Sequence, residues 1–372
     1  MEKKVFIACS GIGNIYRGFE TFSRALFDSI NKDNGICFML FKGAGKNDKA
    51  KREFTLWNFK RKGLLAKLIG RIIRRDPYMV EQFTFFISII PKIFKYKPKI
   101  IFFSDYYFGI FLLNFRSLIP KGFKYKLVFS NGLPLDPPYK FDFVHQCLNT
   151  YREKAIRQGE KRETQLYVPY GFFIEPSLEK PAKADLRLAL ELPLDKMIIV
   201  TVGAVNSYHK RMNYVIEEVA SLNRNDIFLL IVGETESESD KVITYGKEKL
   251  GENFKHSRVQ PNEISLFYQV ADYFVLASLR EGFGRVYIEA LAFGLPVLVH
   301  DYDVTRELLG IYCYKTDMSK IGGLRLLFEE VLPITQSSQL KSSRIIYAYK
   351  NYSWDSLQLE YLNLFNKVIE AS

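Results

Sequence analysis

Residues 280–297 read REGFGRVYIEALAFGLPV and set two carboxylates, Glu281 and Glu289, eight positions apart. Before them, Val275-Leu276-Ala277-Ser278 has the character of a strand end. Glu281-Gly282-Phe283-Gly284-Arg285 reads as a turn, and residues 286–292 read as a helix stopped by Gly294-Leu295-Pro296. The free amides near residues 284–286 then lie at a helix N-terminus, which suits a diphosphate or sugar hydroxyls. Gly282 and Gly284 let the backbone come close to a ligand. A carboxylate before such a turn can accept hydrogen bonds from sugar hydroxyls, and one a turn into the helix can accept from a ribose diol. Each charge-assisted bond of this kind is worth about 1.5–3 kcal/mol where water is excluded. The plainer alternative makes Glu281 a helix-terminal charge and Glu289 a solvated residue. The apolar neighbours of Glu289 in YIEALAF count against solvation.

A second glycine turn, Ser10-Gly11-Ile12-Gly13-Asn14, follows the apolar run Lys3–Cys9 and precedes a helical pattern at residues 19–26. Strand, glycine turn and helix make the opening unit of a Rossmann-like domain. The backbone N–H groups of such a turn suit an anion such as phosphate; a tight structural turn is the alternative. The spacing is not Gly-x-Gly-x-x-Gly, because Gly18 comes late. No acidic residue closes a second strand in the usual place, which disfavours a dinucleotide dehydrogenase.

The elements that would hold these residues come as repeated strand–helix alternation. Residues 99–104 (KIIFFS), 125–130 (YKLVFS), 142–145 (DFVH) and 167–169 read as further buried strands of a first domain, residues 1–171. Residues 172–186, with two prolines and mixed charge, read as a linker. Met197–Val202, Ile227–Val232, residues 273–277 and residues 296–300 read as strands of a second domain, residues 187–346, with a helix at 212–222. Residues 347–372 read as a terminal helix packing back toward the first domain, with Ser353 as a cap. The expected fold is α/β: two Rossmann-like parallel-sheet domains facing across a cleft, with ligands at the carboxyl ends of the strands.

Composition agrees. At 372 residues the chain is long enough for two domains, and 48% hydrophobic with 25% charged residues fits a globular protein. Cys9, Cys37, Cys147 and Cys313 show no paired spacing, as expected of reduced thiols in the cytoplasm. The start MEKKVFIACSGIG suits a first strand better than a secretory signal. The longest apolar stretches, residues 83–94 and 100–115, are broken by Pro91 and Asp105, so no transmembrane helix is expected.

The net charge of +12 is concentrated: residues 42–75 hold twelve Lys or Arg against Asp48 and Glu53, a local excess of +10. Leu64, Leu65, Leu68, Ile69, Ile72 and Ile73 recur there on two adjacent helical columns, flanked by Lys60, Arg61, Lys67, Arg71, Arg74 and Arg75. That is a basic amphipathic helix. It either packs on its own domain or touches an anionic membrane surface or lipid-linked substrate. Helix-turn-helix, zinc and RNP-like spacings are lacking, so no nucleic acid is expected as a partner.

Glu281-Gly282-Phe283-Gly284, Glu289-Ala290, Gly294 and Pro296-Val297 together resemble the glutamate–x7–glutamate motif of retaining GT-B glycosyltransferases, specifically glycosyltransferase family 4. Val202-Gly203 followed by His209-Lys210-Arg211-Met212-Asn213-Tyr214 resembles that family's strand, loop and helix whose lysine binds the donor diphosphate. Val168-Pro169-Tyr170-Gly171, Asp301 with Thr305-Arg306-Glu307, Tyr352-Ser353-Trp354 and Arg17-Gly18-Phe19-Glu20 resemble further family segments. The resemblance spans nearly the whole chain and is strongest over residues 195–310.

The resemblance implies a retaining transfer from a nucleotide-diphosphate sugar to a hydroxyl of a glycan, glycolipid or small molecule. Glu281 would contact the donor sugar, Glu289 the ribose and Lys210 the diphosphate. Gly11 and Gly13 would face the diphosphate across the cleft, and Gly203, Gly282, Phe283, Gly284 and Arg285 would complete the donor pocket. Where relatives carry arginine after Val-Gly, this chain has Ala204, so Arg211, His209 or Arg285 is expected to supply that charge. Where relatives carry a histidine near the acceptor, it reads Ser130-Asn131-Gly132, with His145 on the next strand. His145 is therefore a catalytic candidate, with Asn131 and Gly18 on the acceptor side. A satisfied core histidine is the alternative. No metal is expected at the Asp301-Tyr302-Asp303 triplet, and no cofactor. The expected location is cytoplasmic, at the inner face of the cell membrane. A same-fold sugar phosphorylase, a nucleotide-sugar epimerase and a non-catalytic membrane-associated protein are the rivals.

Overall fold

A computed structural model describes residues 3–15, 17–31, 35–120, 124–132, 135–175, 182–260, 263–334 and 337–371. The chain divides into two units, one of residues 1–173 with 354–372 and one of residues 174–353. The first contains β1 (Lys3–Cys9), β2 (Ile36–Lys42), β3 (Glu53–Thr55), β4 (Ile100–Phe103), β5 (Lys126–Asn131), β6 (Phe143–Gln146) and β7 (Gln165–Tyr167). The second contains β8 (Met197–Val202), β9 (Ile227–Val232), β10 (Phe254–Ser257), β11 (Tyr273–Leu276), β12 (Val297–His300) and β13 (Cys313–Thr316).

The sheets run β3-β2-β1-β4-β5-β6-β7 and β10-β9-β8-β11-β12-β13, with parallel pairing throughout. Both are Rossmann-like: the chain begins mid-sheet, builds to one edge, then returns to build the other. The reversals fall between β1 and β4 and between β8 and β11, the switch points where such sheets hold ligands. Burial on both faces accounts for the unbroken apolar runs IFLLIV in β9 and ICFMLF in β2. The sequence reading did not include β2, β3, β10 or β13. The last two, FKHS and CYKT, are short edge strands that lack an apolar run.

Three boundaries differ from expectation. Residues 183–186 are not linker but the start of a helix, Lys183–Ala189, fixed to the second unit. Its buried Arg187 donates to the Val270 carbonyl at 2.9 and 3.1 Å and to Asp272 at 2.7 Å. Residues 347–352 end a helix, Ser338–Tyr352, of the second unit. Ser353 is extended (φ −71°, ψ 149°) and breaks the chain into a separate helix, Trp354–Glu370. That last helix belongs to the first unit, where Tyr361 donates to the Pro169 carbonyl at 2.9 Å and Phe365 packs edge-on against Phe38 and Phe102.

The basic helix forms as Leu64–Ile72, but Leu64, Leu65, Leu68 and Ile72 do not face the domain. Ala66 and Gly70 are the buried positions, because small residues allow close approach to the helix Pro77–Tyr96. Leu64 and Ile72 remain 81% and 72% exposed.

Candidate active site

The switch point of the second sheet brings Lys210 and Glu281 together from loops 71 residues apart. After β8, Gly203 takes φ +155° and passes under the lysine stem; a Cβ there would lie 2.9 Å from Lys210 Cε. Asn206 shapes the loop by accepting the N–H groups of His209 and Lys210 at 3.0 and 2.8 Å. After β11, the chain runs through buried Ala277 and Ser278 to Glu281. Lys210 Nζ lies 2.5 Å from Glu281 Oε1, and the two side chains are 13% and 9% exposed. His209 Nε2 stands 3.8 Å from the same oxygen and 3.3 Å from the Arg280 carbonyl. The carboxylate thus has a lysine on one side and an imidazole on the other.

Gly284 caps the following helix, Arg285–Ala292, in the left-handed conformation (φ 74°). A Cβ there would fall 2.3 Å from the Tyr287 ring, so the tight turn requires glycine. Phe283 is buried and meets Tyr352 edge-on. Glu289, one turn on, accepts from Tyr268 Oη at 3.1 Å, and Arg285 Nε lies 3.8 Å from its other oxygen. The arrangement offers an ammonium, a half-exposed imidazole, a helix N-terminus and two carboxylates held by partners. That set can bind a diphosphate and accept hydrogen bonds from diols.

Arg211 does not join it. Its left-handed backbone (φ 52°) turns the side chain inward. The guanidinium stacks on Tyr214 at 4.2 Å and donates to the carbonyls of Ala277 at 3.3 Å and Met318 at 2.5 Å. It fixes the loops that carry Lys210 and Glu281, so His209 is the basic group beside Glu281 and Arg285 the one beside Glu289. In the Asp301-Tyr302-Asp303 triplet, Arg306 spans the two carboxylates at 2.8 and 3.5 Å and holds Asp301 below its usual pKa.

Three residues of the first unit carry the acceptor-side expectation. His145 lies in the core, stacked on Phe22 and edge-on to Tyr361. Its Nε2 donates to the Val168 carbonyl at 2.8 Å, so Nδ1 accepts from Ser130 Oγ at 2.9 Å. Burial pushes its pKa down to about 4. With both ring nitrogens used inside the core, it is a structural histidine and not a catalytic one. Asn131, also buried, bonds Leu135, Tyr139 and Gln146 and shapes the loop after β5. Gly18 is exposed at the start of the helix Gly18–Ile30.

The Gly11–Gly13 turn is occupied from within. The amides of Asn14 and Ile15 bond the Gly11 carbonyl at 2.9 and 2.8 Å. A carboxyl fills the remaining space, since a Cβ on Gly11 would lie 2.2 Å from Glu20 Oε1. Glu20 is buried in the first helical turn, and desolvation raises its pKa to about 7. Nearby Asp105 is raised to about 6, again chiefly by burial, while accepting from Tyr78 Oη at 2.6 Å. Glu81 takes Ser10 Oγ at 2.9 Å and Arg61 Nη2 at 2.6 Å. The sequence reading missed this carboxyl group; the only signal was Glu20 in the first turn of a helix that follows a glycine loop.

The fold is that of GT-B glycosyltransferases, with two Rossmann-like parallel-sheet units. An Anabaena protein solved with UDP and glucose matches 98% of this chain and 99% of its own at a TM-score of 0.75 and 15% identity. The profile of the family Glycosyl transferases group 1 matches residues 183–312, which include Lys210, Glu281 and Glu289. Alpha-monoglucosyldiacylglycerol synthase of Streptococcus pneumoniae is 25% identical over 171 residues, 45% of this chain and 38% of that one. The N,N'-diacetylbacillosaminyl-diphospho-undecaprenol alpha-1,3-N-acetylgalactosaminyltransferase of Campylobacter jejuni is 26% identical over 268 residues, 68% of each chain. The chain thus carries a Glycosyl transferases group 1 domain and is related to glycosyltransferase enzymes, although the first of these alignments spans under half the relative's length.

Proposed function

We propose that this protein is a retaining glycosyltransferase of glycosyltransferase family 4 that moves a sugar from a nucleotide-diphosphate donor to an acceptor hydroxyl. The observation that carries the reading is the Lys210–Glu281 pair, 2.5 Å apart at the switch point of the matched domain. Lys210 and the amides at the start of the helix Arg285–Ala292 offset charge building on the leaving diphosphate. Glu281 accepts from the donor sugar's hydroxyls, with His209 beside it, and Glu289 accepts from the ribose. The anomeric carbon–diphosphate bond breaks as the bond to the acceptor oxygen forms on the same face, and the acceptor proton passes to the departing phosphate. Neither a resident metal nor a cofactor is needed, since the lysine and the helix terminus supply the positive charge.

The acceptor is a glycolipid or a growing cell-surface glycan at the cytoplasmic face of a membrane, with residues 60–75 as the contact surface. Two lines support this. The relatives above include a glucosyldiacylglycerol synthase and a diphospho-undecaprenol glycosyltransferase, and the helix Leu64–Ile72 exposes leucines among arginines. Among the described residues no helix is long and apolar enough to cross a membrane.

The test is a thermal-shift screen over UDP-, GDP-, ADP- and dTDP-sugars, followed by transfer to a lipid extract. One donor class should stabilise the wild type, and Lys210→Ala and Glu281→Ala should each cut transfer at least roughly a hundredfold. Unchanged transfer in both variants would overturn the assignment. Transfer to water-soluble acceptors alone would move the acceptor to small molecules.

A further inference from the structure

Glu289 is held by a side chain that belongs to neither of the loops carrying Lys210 and Glu281. Tyr268 stands in the helix Ile264–Val270, ahead of β11, and is 1% exposed. Its ring stacks on Phe293 at a centroid distance of 5.7 Å and tilts against Phe274 at 6.0 Å. Phe274 lies in β11 and Phe293 just past the helix Arg285–Ala292. The ring is therefore seated between the strand that leads to Glu281 and the helix that carries Glu289. At the edge of this apolar seat, Tyr268 Oη donates to Glu289 Oε2 at 3.1 Å. Burial first, and the Glu289 charge second, push the Tyr268 pKa well up, so the hydroxyl stays protonated and acts as a donor.

Packing alone does not call for this hydroxyl. Phenylalanine would fill the same seat, and a buried hydroxyl costs free energy unless it is bonded. What the bond does is set the carboxylate. Arg285 and Glu289 lie four apart on one helix face, where an acid and a base draw together. Here Arg285 Nε stands 3.8 Å from Oε1, within ion-pair range and beyond hydrogen-bond distance. The Glu289 side chain keeps 29% of its surface exposed. One oxygen is thus pinned by Tyr268, and the carboxylate is held back from closing on the arginine, with lone pairs left for a ligand.

We propose, on the ribose role given to Glu289 above, that Tyr268 is a positioning residue that presents this carboxylate to the 2′- and 3′-hydroxyls of the ribose, and that the pair selects ribonucleoside diphosphates over their 2′-deoxy counterparts. A carboxylate already set in place loses little freedom when a vicinal diol donates to it, whereas a mobile one must first be ordered. Without the 2′-hydroxyl a preformed acceptor goes unmet, which is how a polar site discriminates against an analogue that lacks one group. A dTDP-sugar is a 2′-deoxy donor, so the pair favours UDP-, GDP- or ADP-sugars.

The test is calorimetric titration of the full chain with UDP, GDP and ADP and with 2′-deoxy-UDP, 2′-deoxy-GDP and 2′-deoxy-ADP. It compares the wild type, Tyr268→Phe, Glu289→Ala and the double variant. Phenylalanine keeps the ring and its stacking, and the melting temperature of each variant checks the fold. In the wild type, the tightest ribonucleotide should exceed its deoxy counterpart at least roughly tenfold. Tyr268→Phe should bring that ratio to about two or below by weakening the ribonucleotide, with deoxynucleotide affinity unchanged. In the Glu289→Ala background the same substitution should change nothing further. An equal loss for both nucleotides in Tyr268→Phe would make the tyrosine a packing residue and overturn the assignment, as would an unchanged ratio. A further loss on top of Glu289→Ala would overturn it too, by placing its action elsewhere. A wild type that binds ribo- and deoxynucleotides alike would overturn the ribose role of Glu289. One that binds no nucleotide would overturn the glycosyltransferase reading itself.

Discussion

The two sheets share a strand order and arm their switch points in opposite ways. Between β8 and β11, an ammonium faces a carboxylate, and the next helix presents its N-terminus. Between β1 and β4, the carboxyls of Glu20 and Asp105 gather in the interior, and their pKa values rise to about 7 and 6. The first arrangement has positive charge to give to a diphosphate. The second holds carboxyls poised near neutrality, which suit neutral hydroxyls and repel phosphate. One topology thus supports two chemistries, because the sheet fixes where the loops meet and the loop residues decide what meets there.

The contrast breaks most sharply at the ion pair. Lys210→Ala should cost about 3–4 kcal/mol of transition-state stabilisation, the scale for losing one pre-set electrostatic contact. It should appear in kcat with thermal stability little changed; an equal loss in melting temperature and none in kcat would make the pair structural.

His145→Gln should do the reverse. It should lower the stability of the first unit by about 2–4 kcal/mol, by breaking a buried hydrogen-bonded group, with donor affinity retained. The wild-type contribution has a defined pH window. His145 is neutral when folded, with a pKa of about 4, while the unfolded side chain titrates near 6.5. The unfolded state binds the extra proton in between, so this stability is complete above roughly pH 6.5 and is lost on the way down to about 4. Urea unfolding across that range, with and without the substitution, measures it.

Glu20→Gln tests the carboxyl side of the comparison. Its folded pKa of about 7 lies above the ordinary value near 4.5, so ionised Glu20 destabilises the fold at high pH. The neutral amide should therefore stabilise by about 1–3 kcal/mol at pH 8, with the gain shrinking to nothing by roughly pH 4.5. A gain independent of pH would remove the titration. The smallest effect is expected from Glu289→Gln, which keeps the shape and removes the charge. Donor KM should rise roughly tenfold with kcat nearly constant, as for one weakened charge-assisted bond.

Much of this was legible in the chain. Met197–Val202 and Ile227–Val232 are strands to the residue, because buried parallel strands need apolar side chains on both faces. The turn at Gly284 and the helix after it lie where the sequence reading put them, because a left-handed glycine followed by an apolar helical run is a local signal. The edge strands β10 and β13 were not legible, since a strand at a sheet margin needs no apolar run. Nor was the division of labour between Lys210 and Arg211. Adjacent cations look alike in sequence, and the left-handed backbone at Arg211 sends one to the carboxylate and the other to two carbonyls.

By itself, then, the sequence determined the inner strands and the glycine turns of both sheets and which residues could carry charge to a ligand, because periodicity and turn chemistry are local. Tertiary structure alone decided that Lys210 meets Glu281 across 71 residues, that His145 is spent inside the core, and that Glu20 closes over Gly11. It also decided that Ala66 and Gly70 face inward while the larger leucines stay outside. Each depends on which surfaces come into contact and how far water is excluded there, and both are set by packing between distant segments.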